Sequence, residues 1–300
     1  MARLWERRGY RVIEEAGVYW VHYRGPLWTT FPNSVGIVAE TREMEDVLWK
    51  ARMAAARVPS MESGIPCALH VLEPAGYRLE KISHRHRKKV IRGLERCEVR
   101  IVDFDELEAV GLELNRDTLA RQGRHEEEFT DAKRWKHFVK CLRETAGCQA
   151  TGAYLNGRLS AYLIECRDGE WLRLLYKNSR SAELIEGTNY ALDYTVIERA
   201  SKDPTIRAID NSFASTAGDF GVDTYKRHLG YVEVPTSMAI YLHPAIAGWA
   251  TSRAAVGAAR VAARISNKRA FELAARTLEA ARDVRGAARG RATRTWVTGH

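Results

Sequence analysis

Residues 148–177 read CQATGAYLNGRLSAYLIECRDGEWLRLLYK, and two dipeptides divide them into three strands. Asn156-Gly157 separates 149–155 from 158–166, and Asp168-Gly169 separates that run from 170–177. Asn-Gly and Asp-Gly between β-rich runs mark tight hairpins, because both turn positions require positive φ. An apolar helical pattern follows at 189–201, carried by Tyr190, Leu192, Tyr194, Val196 and Ile197. Residues 205–211 read as a buried strand, 220–229 as a short helix and 231–242 as a closing strand. The order βββ-α-β-α-β joins a meander to a crossover. Strands 158–166 and 170–177 are therefore expected to be antiparallel, and 170–177 and 205–211 parallel, with a cleft at their C-terminal ends. The fold class is α/β, an α+β mixed sheet.

Upstream, Ser83 is placed to cap a helix over 83–96 whose apolar face is Val90, Ile91 and Leu94. Arg85, Arg87, Lys88, Lys89 and Arg92 crowd that helix, which suits either phosphate binding at a helix N-terminus or a solvated basic face. His84 and His86 have no third ligand at metal-binding spacing, so no metal is expected. A helix over 107–121 ends at Arg121-Gln122-Gly123, where the arginine can also serve simply to complement the helix dipole. Glu126-Glu127-Glu128 reads as the solvated start of a helix. Over 131–145, Trp135, Phe138, Val139 and Leu142 form a core stripe.

These motifs together resemble the FemABX-like branch of the GNAT-type N-acyltransferases. The resemblance rests on Ser83-x-Arg85-x-Arg87-Lys88-Lys89-x-Ile91-Arg92, on Thr118-x-x-Arg121-x-Gly123, on Asp210 ending a strand, and on Tyr225-Lys226-x-x-x-Gly230-Tyr231. It runs over 77–241 in that order. It implies a degenerate, shortened GNAT-like lobe at 1–104, a complete acyltransferase lobe at 105–244 and a helical basic tail at 245–300. It also implies an activated acyl donor, an amine acceptor such as a cell-envelope precursor, and no tightly bound cofactor.

By that resemblance Lys226 stabilises the oxyanion of a tetrahedral intermediate, with Tyr225 beside it and Arg121 at the acceptor pocket. Asp210 either takes a proton from the amine or caps a turn. Arg87, Lys88 and Arg92 would meet substrate phosphate. Acyl-CoA and aminoacyl-tRNA both stand as donors. An acetyl-CoA cradle would lie at 178–189, where only Gly187-Thr188-Asn189 matches, and Glu183 and Glu186 would repel a diphosphate. A conventional acyl-CoA-dependent acetyltransferase is one alternative, and a non-catalytic scaffold that binds polyanions is the other.

The net charge of +9 is concentrated in the tail. Residues 245–300 carry eleven Lys/Arg against three Asp/Glu, which leaves the remainder of the chain almost neutral. That distribution argues against a general nucleic-acid binder. It leaves an anionic membrane surface or RNA as a partner of the tail. The tail reads as two helices, 246–265 and 266–285, the second capped by Ser266 with Phe271, Ala274, Leu278 and Ala281 on one face. Residues 286–300 are expected to be disordered. Five scattered cysteines in no C-x-x-C pair suit reduced thiols, and Met1–Arg8 has no apolar stretch behind its charges. A cytoplasmic protein, peripheral at the inner membrane face, is the expectation. Nearer the N-terminus, 9–15 and 18–25 suit a hairpin, 26–32 a turn-rich break, 34–39 and 65–72 strands, and Thr41 starts a helix through Met44, Val47, Leu48 and Ala51.

Overall fold

The computed structural model describes residues 1–24, 26–31, 41–60, 64–214, 220–265 and 269–297. In chain order the elements begin with α1 (Ala2–Arg7), β1 (Val12–Glu15), β2 (Val18–Arg24), β3 (Leu27–Phe31), α2 (Thr41–Ala51), β4 (Ala55–Ser60) and β5 (Ile65–Leu72). Next come α3 (His84–Arg96), β6 (Cys97–Ile101), α4 (Phe104–Arg121), α5 (Glu127–Thr130), α6 (Ala132–Arg143), β7 (Cys148–Leu155), β8 (Arg158–Asp168) and β9 (Trp171–Ser179). The chain finishes with α7 (Thr188–Ser201), β10 (Ala208–Phe213), α8 (Phe220–His228), β11 (Val232–Leu242), α9 (Pro244–Ala250), α10 (Arg253–Ile265) and α11 (Arg269–Val297). Contacts divide it into two compact units, Leu69–Val234 and Leu4–Ala68 with Pro235–His300. The division follows contacts rather than a linear partition at 104 and 244, since α3 and β6 belong to the first unit.

In the 69–234 unit the meander forms as its turns dictate. β7 and β8 pair antiparallel across Asn156-Gly157, both with positive φ. At the next hairpin Asp168 pairs with Trp171, so the turn is Gly169-Glu170 and only Gly169 is left-handed. The sequence reading placed that turn one residue early. A glycine in the first of two turn positions is the primed type II arrangement, which needs positive φ only there. β9 and β10 are parallel, and β10 is antiparallel to β5. β10 begins at Ala208 rather than 205, because Asp203 first closes a local turn by accepting from the Thr205 N–H at 2.9 Å.

α3 and α7 cover one face of this sheet, burying Ile82, Val90, Leu163, Leu172, Leu192, Ile197 and Ile209. Two glycines allow the helices to meet. A Cβ on Gly93 would stand 2.4 Å from the Gly187 carbonyl oxygen, and one on Gly187 would stand 2.7 Å from that of Lys89. Leu107, Leu114, Trp135, Phe138 and Leu142 of α4 and α6 are also fully buried. Asp103 caps α4 through the Asp105 N–H, and Asp131 caps α6 through those of Lys133 and Arg134.

In the other unit β1, β2 and β3 are successive antiparallel neighbours, β3 is parallel to β4, and β4 is antiparallel to β11. Residues 27–31, expected within a turn-rich break, are thus a strand. Trp28, Thr29, Thr30 and Phe31 are β-formers buried as a strand, and tertiary burial outweighs the flanking prolines. The tail also departs from expectation. Thr251 Oγ1 donates to the Ala247 carbonyl and Ser252 Oγ accepts from the Ala255 N–H, so 246–265 is broken into α9 and α10. α11 continues as helix through Val297 instead of ending in disorder at 286, consistent with the high helix propensity of its Ala and Arg. Among its described side chains the buried ones are Ala275, Ala280, Ala281 and Val284, whereas Phe271 and Ala274 are exposed. The expected stripe was displaced around the helix, and Leu278 and Ala281 are the members it shares with the packed face. The expected strand at 34–39 and the Ser266 cap lie outside the described residues.

Candidate functional site

The parallel pairing of β9 and β10 is short, covering only Trp171–Arg173 against Ala208–Asp210. Beyond it β9 continues to Ser179, while β10, paired with β5 on its other edge from Ile209, ends at Phe213 opposite Leu69. Parallel strands that part at their C-terminal ends leave a notch, the usual binding position in such sheets. Four of the residues singled out from the sequence meet around it: Lys226, Asp210, Tyr225 and Asn189.

Lys226 lies on α8, only 7 % exposed, and its Nζ donates to the Asn211 carbonyl at 2.6 Å. Burial lowers its pKa to about 8, with Asp223 opposing the shift and Lys177 reinforcing it. The ammonium form still dominates at neutral pH, but it is held by a neutral carbonyl in a poorly solvated place. Such a cation interacts strongly with any negative charge that develops beside it.

Asp210 is engaged through both oxygens. Oδ2 accepts from Arg173 Nη1 at 2.8 Å and Oδ1 from the Ser212 N–H at 2.8 Å. Ser212 is left-handed at φ +60°, which turns its N–H back onto the carboxylate. Arg173 also stands 3.6 Å from Asp168 and 4.6 Å from the Trp171 ring centroid. This geometry anchors the strand end and gives Asp210 the turn-capping part of its two expected roles.

Tyr225 donates its hydroxyl to the Asp193 carboxylate, and the same oxygen stands 3.0 Å from the Asn189 carbonyl. Burial and the Asp193 charge push its pKa well above the ordinary tyrosine value, so it stays a donor. Asp193 also accepts from Lys177 Nζ at 2.5 Å, and the same ammonium stands 4.4 Å from the Tyr225 ring centroid. The sequence reading missed Asp193, although a carboxylate flanked by Leu192 and Tyr194 on an apolar helix was a signal. His70 was also missed. Fully buried on β5, it places Nε2 3.7 Å from Asp223 and 3.6 Å from Glu233. Burial, then the Lys226 charge, lowers its pKa.

Arg121 reaches the site indirectly. Its guanidinium donates to Ser181 Oγ at 2.6 Å and to Ser179 Oγ at 3.4 Å, and Asn189 Nδ2 donates to that same Ser179 oxygen. The α3 residues are used differently. Arg87 caps the carbonyls of Leu79, Glu80 and Ile82, Arg92 reaches the Ile185 carbonyl at 3.4 Å, and Lys88 is exposed. Ser83 directs its hydroxyl to His86 Nδ1 at 2.8 Å rather than to a helix N–H. The part of α3 that faces α8 is His86, stacked on His228 at 3.5 Å, and Lys89 stands 5.4 Å from the Tyr190 ring centroid.

The segment before α7 does not have the form of a diphosphate cradle. The Gly187 N–H donates to the Leu184 carbonyl, its Cα packs under α3, and Glu183 and Glu186 pair with Arg158 and Arg96. Among the described residues no cluster of His, Cys, Asp and Glu is placed to hold a metal ion.

This arrangement is a GNAT-like fold with its notch between two parting parallel strands. No protein-family model matches the chain, and no curated protein matches it either. Solved structures do. FemX superposes with a TM-score of 0.56 at 11% identity, covering 78% of this chain and 89% of that one. L-PGS from Bacillus licheniformis gives 0.56 at 10%, covering 80% and 87%. The C-terminal domain of an Agrobacterium fabrum protein assigned to the lysylphosphatidylglycerol synthetases gives 0.56 at 12%, covering 79% and 86%. At these identities the likeness is one of fold.

Proposed function

We propose that the protein is an N-acyltransferase in which the amine of an acceptor attacks an activated acyl carbonyl at the notch. The observation that carries this reading is Lys226, a buried ammonium held only 2.6 Å from a backbone carbonyl at the open end of a parallel strand pair. The amine nitrogen bonds to the carbonyl carbon and the carbonyl oxygen takes the electron pair. The Lys226 ammonium stabilises that oxyanion. The carbonyl then re-forms, the bond to the carrier breaks, and the proton lost by nitrogen passes to the leaving oxygen or sulfur. Asp193 fixes Lys177 and Tyr225 around the same space, and Arg121 and Asn189 border it through Ser179.

The donor favoured here is an aminoacyl ester, as on tRNA, because Gly187 is used for helix packing and not for a diphosphate. Lys89, beside the His86–His228 stack whose imidazoles burial holds below the ordinary histidine value, provides a cationic border for such a polyanion. The fold shared with FemX agrees with this reading. The test is to supply aminoacyl-tRNA and acetyl-CoA separately with a panel of primary amines, and to identify acylated amine by mass spectrometry. Product from aminoacyl-tRNA alone is expected. Product from acetyl-CoA alone would transfer the assignment to an acetyltransferase, and product from neither would leave a binding scaffold.

A further inference from the structure

α9 and α10 present an apolar surface that no neighbour covers among the described residues. Trp249 is 78 % exposed, Ile265 80 %, Val261 54 % and Ile246 42 %. On α10 the exposed Ala254, Ala258, Val261 and Ile265 follow four-three-four spacing and therefore share one stripe. Arg253, Arg260 and Arg264 follow seven-four spacing and form the adjoining stripe, and Val256, next to the arginines, is buried on the side opposite the apolar stripe. Arg260 pairs with Glu279 of α11. Between Pro244 and Phe271 the sequence has five Lys/Arg and no acidic residue. A further aromatic, Trp49, is 56 % exposed and stands 4.2 Å from the ring of His243, the residue that caps α9.

We propose that α9 and α10 dock on the surface of an anionic phospholipid bilayer. An apolar stripe bordered by arginines, with an exposed tryptophan one helix before it, fits a helix lying in the headgroup plane. Nucleic acid would use the arginines but would leave Val261 and Ile265 in water. A second copy would bring like-charged arginine stripes together. An anionic bilayer takes both features, the apolar side chains at the acyl boundary and the arginines at the phosphates. Among the described residues no helix is long and apolar enough to cross a membrane, so the contact lies along the surface.

The test is co-sedimentation of the full chain with vesicles of phosphatidylcholine alone and of phosphatidylcholine mixed with phosphatidylglycerol. Binding to the mixed vesicles is expected, falling about fivefold for each charge lost in Arg253→Gln and Arg264→Gln, and falling with added salt. Trp249→Ser and Ile265→Ser should each weaken it by about tenfold. All four side chains are exposed, so circular-dichroism melting should show unchanged folding. Brominated lipid should quench tryptophan emission in the wild type and less in Trp249→Phe. Equal binding to both vesicle types, or none to either, would overturn the proposal. So would retention of full binding in the serine variants, RNA binding without vesicle binding, or a lipid-free dimer abolished by Ile265→Ser.

Discussion

Among the described residues, the 69–234 unit buries Glu165, Arg173, Arg180, Asp193, Asp210, Asp223 and Lys226, whereas the buried polar residues of 4–68 with 235–300 are Thr29, Thr30 and Ser60. Burying a charge costs several kcal/mol unless partners and hydrogen bonds replace water. The first unit meets that cost with pairs such as Arg173–Asp210 and Lys177–Asp193, several of them at the notch. The second contains β-strands, aromatics and alanine-rich helices packed around apolar clusters. The two units thus divide the work. One buries chiefly apolar side chains, and the other retains costly charges where a reaction can use them.

The contrast is sharpest at Asp193. Asp193→Ala leaves Lys177 and Tyr225 without their shared carboxylate, and should cost about 3–5 kcal/mol in chemical denaturation. A cost below about 1 kcal/mol would show that the buried charges of this unit are not mutually dependent.

Lys226→Ala should lower kcat by about 10²–10³ with little change in acceptor affinity, because the charge it answers exists mainly in the transition state. Its titration gives a second, independent sign. Folding lowers its pKa from 10.5 to about 8, so the unfolded chain binds the extra proton between those values. Stability should therefore rise with pH across that window, by up to about 1.4 kcal/mol per unit for one group, while kcat falls above about pH 8. Lys226→Met should remove that stability slope. Turnover that continues unchanged to pH 10 would exclude the ammonium from the chemistry.

The smallest effect belongs to the other unit. Thr30 is fully buried and its hydroxyl has no hydrogen-bond partner among the described residues, so Thr30→Val should change stability by less than about 1 kcal/mol. A loss of several kcal/mol in thermal melts would mean that this unit, too, depends on buried polar groups.

Much of the fold was legible because its signals are local. Asn156-Gly157 fixes a hairpin whatever lies elsewhere, and the crossover over 189–201 forces β9 and β10 to be parallel. The tryptophan and threonines of β3 were hidden by the prolines on either side, since only a buried strand position rewards them. Lys226, Tyr225 and Asp210 were singled out through motif order, and Asn189 through its place at the end of the 178–189 segment. Asp193 and His70 were not, because their meaning depends on partners 16 and 32 positions from Asp193 and on a strand distant from α8. Arg87 shows the converse. A basic residue in a basic run looks like a ligand site until the three carbonyls it caps are visible.

The pairing of β4 with β11 has a consequence for biosynthesis. Ribosomes extend a chain at about 5–20 residues per second, so β11 emerges on the order of ten seconds or more after β4. Until then Ala55–Ser60 holds β3 on one edge and nothing from its own unit on the other. An unpaired edge is a template for wrong partners. The nascent chain therefore carries an open edge on β4 until its own last third completes it.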